Sequence, residues 1–328
     1  MSTAAPRQLK LFYCYAREDR IYRDELDRHL SGLKRSQQIA SWSDCEISPG
    51  TEWESAIDRE LNTAHILLLI SAHFMESEYC YGKEMKRALE RHEAGEARVV
   101  PILLRSVDWE DAPFSKLQIL PADAKPISRW PDRDDAFTDI ARALRLVVRE
   151  LQITLNTKVD EWMKKGITLT NLEKYDEALA AFDEVIKLDP NNARAYNSKG
   201  YTLIKLKRYE ESLVSLGRVT RLDPNNAIVY NNKGWALKEL KRYEEALVAL
   251  EQAIRLDPND AYAYNNRGIV LNGLKRHEEA IAAYDEAIRL DPSYEKAYNN
   301  KRDVLQVLGR DAEAQRAFEK ARQLGYPE

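Results

Sequence analysis

A chain of 328 residues is long enough for two domains rather than one. Its 44% apolar content supports ordinary cores, and its 32% charged content suits helix-rich proteins in water. Net charge is only −4, and residues 159–328 carry 27 basic against 28 acidic side chains, so neither half has the basic excess needed to hold a phosphate backbone. Nucleic-acid backbone binding is therefore not expected.

Cys14, Cys45 and Cys80 are odd in number and form no C-x-x-C, so they read as free thiols and not as a disulfide framework or zinc site. The opening MSTAAPRQLK lacks the apolar core of a signal peptide, and the longest apolar run, Ile66 to Ile70, is far short of a membrane span. The expectation is a cytoplasmic protein with no membrane association.

Lys10 to Tyr15 reads as a first strand, and residues 19–33 have helical spacing at Ile21, Leu26, Leu30 and Leu33. Residues 41–53 read as a loop around Pro49-Gly50. A helix is predicted over 53–64, a buried strand over 65–71, a helix over 78–92 ending near Gly95, and another strand over 98–104. A long helix, 137–155, leads into the second half with no Gly/Ser linker, which favours a rigid coupling over a flexible tether. Alternating strands and helices imply a doubly wound parallel sheet, whose ligands sit at the carboxyl ends of the strands.

No G-x-G-x-x-G, G-x-x-x-x-G-K-[ST] or G-x-S-x-G occurs. His29, His65, His73 and His92 lack metal-ligand spacing, and no metal site is predicted. One carboxylate stands out. On the predicted helix 78–92, Tyr81, Met85, Ala88 and Leu89 form the apolar stripe, with Lys83, Lys86 and Glu90 opposite. Glu84 falls at the rim of that stripe, and an acid half turned toward a sheet is costly without compensation.

From Val159 onward the chain repeats itself every 34 residues. Gly166, Gly200, Gly234 and Gly268 keep that spacing, as do the Asp-Pro pairs beginning at Asp189, Asp223, Asp257 and Asp291. Five units result: 159–192, 193–226, 227–260, 261–294 and 295–328. A ring opens each first helix, at Trp162, Tyr196, Tyr230, Tyr264 and Tyr298, with a leucine seven residues later on the same face. The glycines allow close helix approach, and Asp-Pro ends each second helix because the residue before proline avoids the helical region. These residues resemble the tetratricopeptide repeat family over all of 159–328, implying an all-α superhelical solenoid. The fifth unit departs, with Arg302 at the glycine place and Asp311 at the tyrosine place, as capping repeats do.

In that family the fifth place of each first helix lines the binding groove. Here it holds Met163, Asn197, Asn231, Asn265 and Asn299, and Arg194, Tyr201 and Trp235 are expected on the same surface. Asparagines in a ladder offer paired donors and acceptors to an extended backbone, or else they brace neighbouring helices. The ligand is left open among a peptide, a protein surface and a small-molecule signal.

Residues 1–150 carry LFYCYAREDR (11–20), WSDCEISPGTEW (42–53) and ILLLISAHFMESEYCYGKE (66–84). These segments resemble a Toll/interleukin-1 receptor (TIR) domain of bacterial type, and 151–158 finish the connecting helix. The resemblance implies a flavodoxin-like parallel sheet. It also implies cleavage of the nicotinamide–ribose bond of NAD as substrate, with no cofactor and with Glu84 catalytic. Tyr15 and Arg17 edge the implied pocket, Trp53 stacks on a substrate ring, and Asp44 orders its loop. The family pattern places a tryptophan four residues before the glutamate. Cys80 stands there, flanked by Tyr79 and Tyr81, either of which can supply a ring face. Self-association with other TIR domains, controlled by a ligand in the repeats, is the implied regulation, with a role in bacterial immunity or stress signalling. The rival reading is a non-enzymatic adaptor. A receiver-like domain would need an acidic cluster after the first strand, where Glu18 and Asp19 stand.

Overall fold

The computed structural model describes residues 8–42 and 52–326. Its contacts divide the chain into two units, 1–156 and 157–328.

The first unit is built on four parallel strands: β1 (Leu9–Cys14), β2 (Ile39–Trp42), β3 (His65–Ile70) and β4 (Val99–Leu103), in the order β2-β1-β3-β4. Side chains along a strand alternate between faces. Leu9, Leu11, Tyr13 and Tyr15 accordingly pack against Tyr22 and Leu26 of α1 (Arg20–His29), against Leu30 just past it, and against Phe137, Ile140 and Leu144 of α6 (Arg133–Asn171). Phe12 and Cys14 enter the opposite layer with Ile57 and Leu61 of α3 (Trp53–Leu61), Phe74 of α4 (Ala72–Glu76), and Met85 and Ala88 of α5 (Met85–Glu93). A sheet covered on both faces explains the continuous apolar runs of β3 and β4. The short helix α2 (Ser31–Arg35) precedes β2.

Two differences from the sequence reading matter. The predicted loop 41–53 begins inside β2, whose Trp42 stacks on Phe12 at 5.4 Å; residues 43–51, including Asp44 and Cys45, lie outside the described residues. The predicted helix 78–92 is not uniform. Glu78–Glu84 is a π-helical turn, closed by the Met85 N–H donating to the Cys80 carbonyl five residues back, and only then does α5 begin.

The second unit is a run of antiparallel helix pairs. The last turns of α6 pair with α7 (Tyr175–Leu188). Then α8 (Ala193–Lys205) pairs with α9 (Tyr209–Leu222), α10 (Ala227–Glu239) with α11 (Tyr243–Leu256), α12 (Ala261–Gly273) with α13 (His277–Leu290), and α14 (Glu295–Val307) with α15 (Asp311–Gln323). The glycine period has a direct cause. A Cβ at Gly166, Gly200, Gly234 or Gly268 would stand 2.5–2.7 Å from Phe182, Leu216, Leu250 or Tyr284 of the paired helix. In the last pair Arg302 replaces the glycine and lies over the Phe318 ring at 5.2 Å. Each Asp-Pro junction is followed by the next helix, and at the first of them Asn192 is the cap: its Nδ2 donates to Asp189, while its Oδ1 accepts from Ala195 N. Among the described residues no helix is long and apolar enough to cross a membrane.

Candidate functional site

In an open parallel sheet the connections leave neighbouring strands in opposite directions at one point, and a crevice opens there. In the order β2-β1-β3-β4 that point lies between β1 and β3. A cavity of about 430 Å³ occupies it, within the range of small-molecule sites. Its walls are the residues just past β1 (Tyr15, Ala16, Arg17, Glu18), the segment past β3 (His73, Glu76, Ser77) and the π turn (Tyr79, Cys80, Glu84).

Two sets of contacts hold those walls. Asp19, fully buried, accepts from Arg105 Nε at 3.1 Å and from the Ser71 hydroxyl. Ser71 Oγ in turn accepts from Phe74 N at 3.1 Å and starts α4. One carboxylate thus ties the β1 loop to the segment after β3. Of the pair Glu18-Asp19, Asp19 is buried and taken up by these contacts, while Glu18 is exposed. On the other side, Ser77 Oγ accepts from Cys80 N at 3.1 Å and fixes the start of the π turn.

Glu84 closes that turn and is only 5% exposed. A π turn inserts an extra residue before the carboxylate and so changes the phase at which it emerges. That moves Glu84 from the rim expected of an α-helix into the cavity wall. The buried thiol of Cys14, at the end of β1, donates to Glu84 Oε2 at 2.8 Å. Burial first, and the Glu84 charge second, push the Cys14 thiol well above its ordinary range, so it stays protonated and can donate. The Tyr79 phenol is likewise raised by burial and then by Glu84.

The structure brings together Tyr15, Arg17 and Glu84 of the residues singled out for the pocket. Tyr15 is buried, and Arg17 is exposed at the edge. Trp53 is the first residue of α3, but its side chain lies outside the described residues. Of the two tyrosines beside Cys80, Tyr79 lines the cavity, while Tyr81 packs edge-on against Phe74 at 6.4 Å. His73, Glu76 and Ser77 were not singled out, because only the turn after β3 brings them to the crevice. No group of His, Cys, Asp and Glu suited to a metal ion occurs among the described residues.

The asparagine ladder has partners within the array. Asn232 donates to Asn197 at 3.1 Å, Asn266 to Asn231 at 2.8 Å, and Asn300 to Asn265 at 2.9 Å. These three carbonyls, expected to face a ligand, therefore accept from the next repeat. Asn265 and Asn299 are buried, and Asn299 Nδ2 donates to Tyr326. Met163, at the same place in the first repeat, is buried in an apolar cluster. Arg194 is exposed. Tyr201 and Trp235 meet edge to face at 6.1 Å, with Lys205 Nζ 5.3 and 5.1 Å from their ring centres. The sequence did mark the bracing residues, since Asn-Asn recurs at 231, 265 and 299.

An all-parallel, flavodoxin-like domain followed by helical hairpins defines a two-part protein, an α/β domain and an α-helical repeat array. A family model for the TIR domain matches residues 11–144, and one for the tetratricopeptide repeat matches 163–227 and 231–295. The chain is a TIR domain followed by tetratricopeptide repeats. It is 50% identical over 136 residues to protein y4lF of Sinorhizobium fredii (strain NBRC 101917 / NGR234), a match spanning 41% of this chain and 42% of that protein's length. Among solved structures, MamA from Desulfovibrio magneticus RS-1 is 25% identical with a TM-score of 0.46, covering 51% of this chain and 94% of its own. The tetratricopeptide protein TTC0263 of Thermus thermophilus is 24% identical with a TM-score of 0.47, covering 51% and 91%.

Proposed function

We propose that the TIR domain is an NAD glycohydrolase in which Glu84 is the catalytic carboxylate. The observation that carries this reading is a buried acid in the wall of the crevice at the switch point of the sheet. Cleavage of the nicotinamide–ribose bond passes through an oxocarbenium-like state, with positive charge developing on the ribose. A carboxylate fixed in a site of limited water access stabilises that charge and accepts hydrogen bonds from ribose hydroxyls. Nicotinamide leaves with the bonding pair and needs no proton. Water then adds to the anomeric carbon and releases a proton, giving ADP-ribose; attack by another atom of the same molecule would give a cyclised product. Arg17 offers a cation to the diphosphate at the cavity edge. Tyr79 takes the ring-face role that the family gives to tryptophan at the place of Cys80, and Tyr15 and Trp53 complete the substrate contacts.

The repeats act in this reading as the sensing and assembly arm. A peptide, protein or small-molecule ligand on the surface carrying Arg194, Tyr201 and Trp235 changes how copies associate through their TIR domains. Bacterial immunity or stress signalling, inside the cytoplasm, is the setting that fits. The adaptor reading draws on Cys80 in place of the tryptophan, and one experiment separates the two. Full-length protein and its Glu84→Ala variant are incubated with NAD, with and without crowding and with enforced oligomerisation, and released nicotinamide is measured. The wild type is expected to release nicotinamide in at least one condition, with the variant slower by about a hundredfold or more. No release from the wild type in any condition, including enforced oligomerisation, sinks the glycohydrolase and leaves the adaptor.

A further inference from the structure

Cys14 sits where a strand, a turn and a carboxylate converge. It is the last residue of β1, and strand alternation turns its side chain away from α1 and toward the π turn. Its sulfur lies 2.8 Å from Glu84 Oε2 and 3.9 Å from the Cys80 carbonyl, the same carbonyl that accepts the Met85 N–H and closes the π turn. Cys14 is wholly buried, so no bulk water competes for the thiol hydrogen. Cys80 Sγ is also 3.4 Å from the Tyr15 carbonyl, so the chain just past β1 meets the turn a second time.

We propose that Cys14 is a positioning residue for Glu84: its thiol hydrogen bond fixes the carboxylate in the cavity wall and favours its ionised form. The proposal rests on the glycohydrolase reading for its consequence in catalysis, but not for the contact itself. A hydrogen bond from β1 to a carboxylate at the end of the π turn restrains its rotamer from a separate element. A thiol supplies one donor in an otherwise apolar layer of Phe12, Ile57 and Met85. The ionisable groups around the same cavity, besides Glu84, are Tyr13, Tyr15, Arg17, Glu18, His73, Glu76, Tyr79 and Cys80. Of these, Tyr79 and Cys80 come from Glu84's own turn, and the others face it from β1 and the segments after β1 and β3.

The test uses the full chain with Cys14→Ser, which keeps a donor, and with Cys14→Ala and Cys14→Val, which remove it. Two non-donors are included because Ala leaves a small void and Val does not, so a folding defect in one leaves the other informative. Cys14→Ser is expected to stay within about threefold of wild-type kcat, while the non-donors lose about tenfold to a hundredfold in kcat with little change in KM. Losing the donor disfavours the ionised carboxylate, so the acid limb of the activity profile moves to higher pH in the non-donors and not in Cys14→Ser. Wild-type kcat and an unmoved acid limb in a folded Cys14→Val protein overturn the proposal while leaving the glycohydrolase intact. Infrared titration of the Glu84 carboxyl, assigned by subtracting the spectrum of Glu84→Gln, decides the question even if no protein in the set cleaves NAD. An upward shift of its midpoint in Cys14→Val supports the positioning role, and an unchanged midpoint refutes it.

Discussion

The TIR domain and the repeat array satisfy polar groups in opposite ways. In the TIR domain three buried polar groups make contacts that occur in a single copy and reach across distant parts of the chain. Asp19 finds Ser71 and Arg105, Glu84 finds Cys14, and the Arg91 guanidinium donates to the carbonyls of Leu61 and Ala64, where α3 ends. In the repeats one solution is copied. Arg-Glu pairs three residues apart recur at 208/211, 242/245, 276/279 and 310/313, and the Asn-to-Asn bridge recurs between successive repeats. A single-copy contact has no equivalent elsewhere in the fold when it is lost. A copied contact is one of several, and its loss is shared among neighbours whose stabilities add approximately. Substitutions in the two regions should therefore differ in both size and spread.

The largest effect is expected at Asp19. Replacing it with alanine removes a buried carboxylate, strips Arg105 of its partner and leaves the Ser71 hydroxyl with a lost acceptor. The expected cost is about 3 kcal/mol, at the lower end for a broken buried pair because Arg105 retains partial access to water. Urea denaturation of the full chain should show it as an earlier transition of the TIR domain, with the repeat transition unmoved. A shift of both transitions together would show that the two regions do not respond separately.

A second single-copy contact gives the TIR domain a pH signature. His65, at the start of β3, accepts from Arg98 N through Nδ1. Burial, then the charges of Arg91 and Arg98, lower its pKa from 6.5 to about 4. Between those values the unfolded chain binds the proton and the folded one does not. The stability is therefore complete above about pH 6.5 and is lost as pH falls toward 4, by up to about 3 kcal/mol for a shift of that size. Other titrations add their own slopes in this window, so the measurement is the difference between wild type and His65→Gln. Gln retains an acceptor without titrating, and the variant should lose the slope in that window. Equal slopes in the two proteins would remove His65 as the cause.

The same contrast explains which features were legible in the amino-acid sequence. The repeats state one set of constraints five times, so the period of 34 revealed their helices, their tight glycine contacts and the Asp-Pro pairs that end the second helices. In the TIR domain, β1, β3 and β4 were legible from continuous apolar runs, and Glu84 from its awkward place on a stripe. Four-residue β2 was not, because Ile39–Trp42 is too short to show a period. The π turn was hidden because Met85, Ala88 and Leu89 keep α spacing after it. Cys14 looked like any core residue, and its partner is 70 residues away. Asp19 looked like half of a surface pair, with partners 52 and 86 residues away. Contacts made once across such distances leave no local pattern.

The smallest effect sharpens the contrast most. Asn266 donates to Asn231 across the junction of the third and fourth repeats, and both side chains are only partly buried. In Asn266→Ala the Asn231 carbonyl regains access to water, so the loss should be about 1 kcal/mol, the net worth of one ordinary hydrogen bond. Because stability in an array is carried by nearest-neighbour interfaces, that loss belongs to α10 and α12 and their paired helices. Native-state hydrogen exchange should show faster opening of those helices, a smaller change in α8 and α14, and none in β1, β3 or β4. If protection in the sheet strands fell by the same amount, Asn266 would be part of one cooperative unit spanning the whole chain. The distinction between copied and single-copy contacts would then fail where it is easiest to measure.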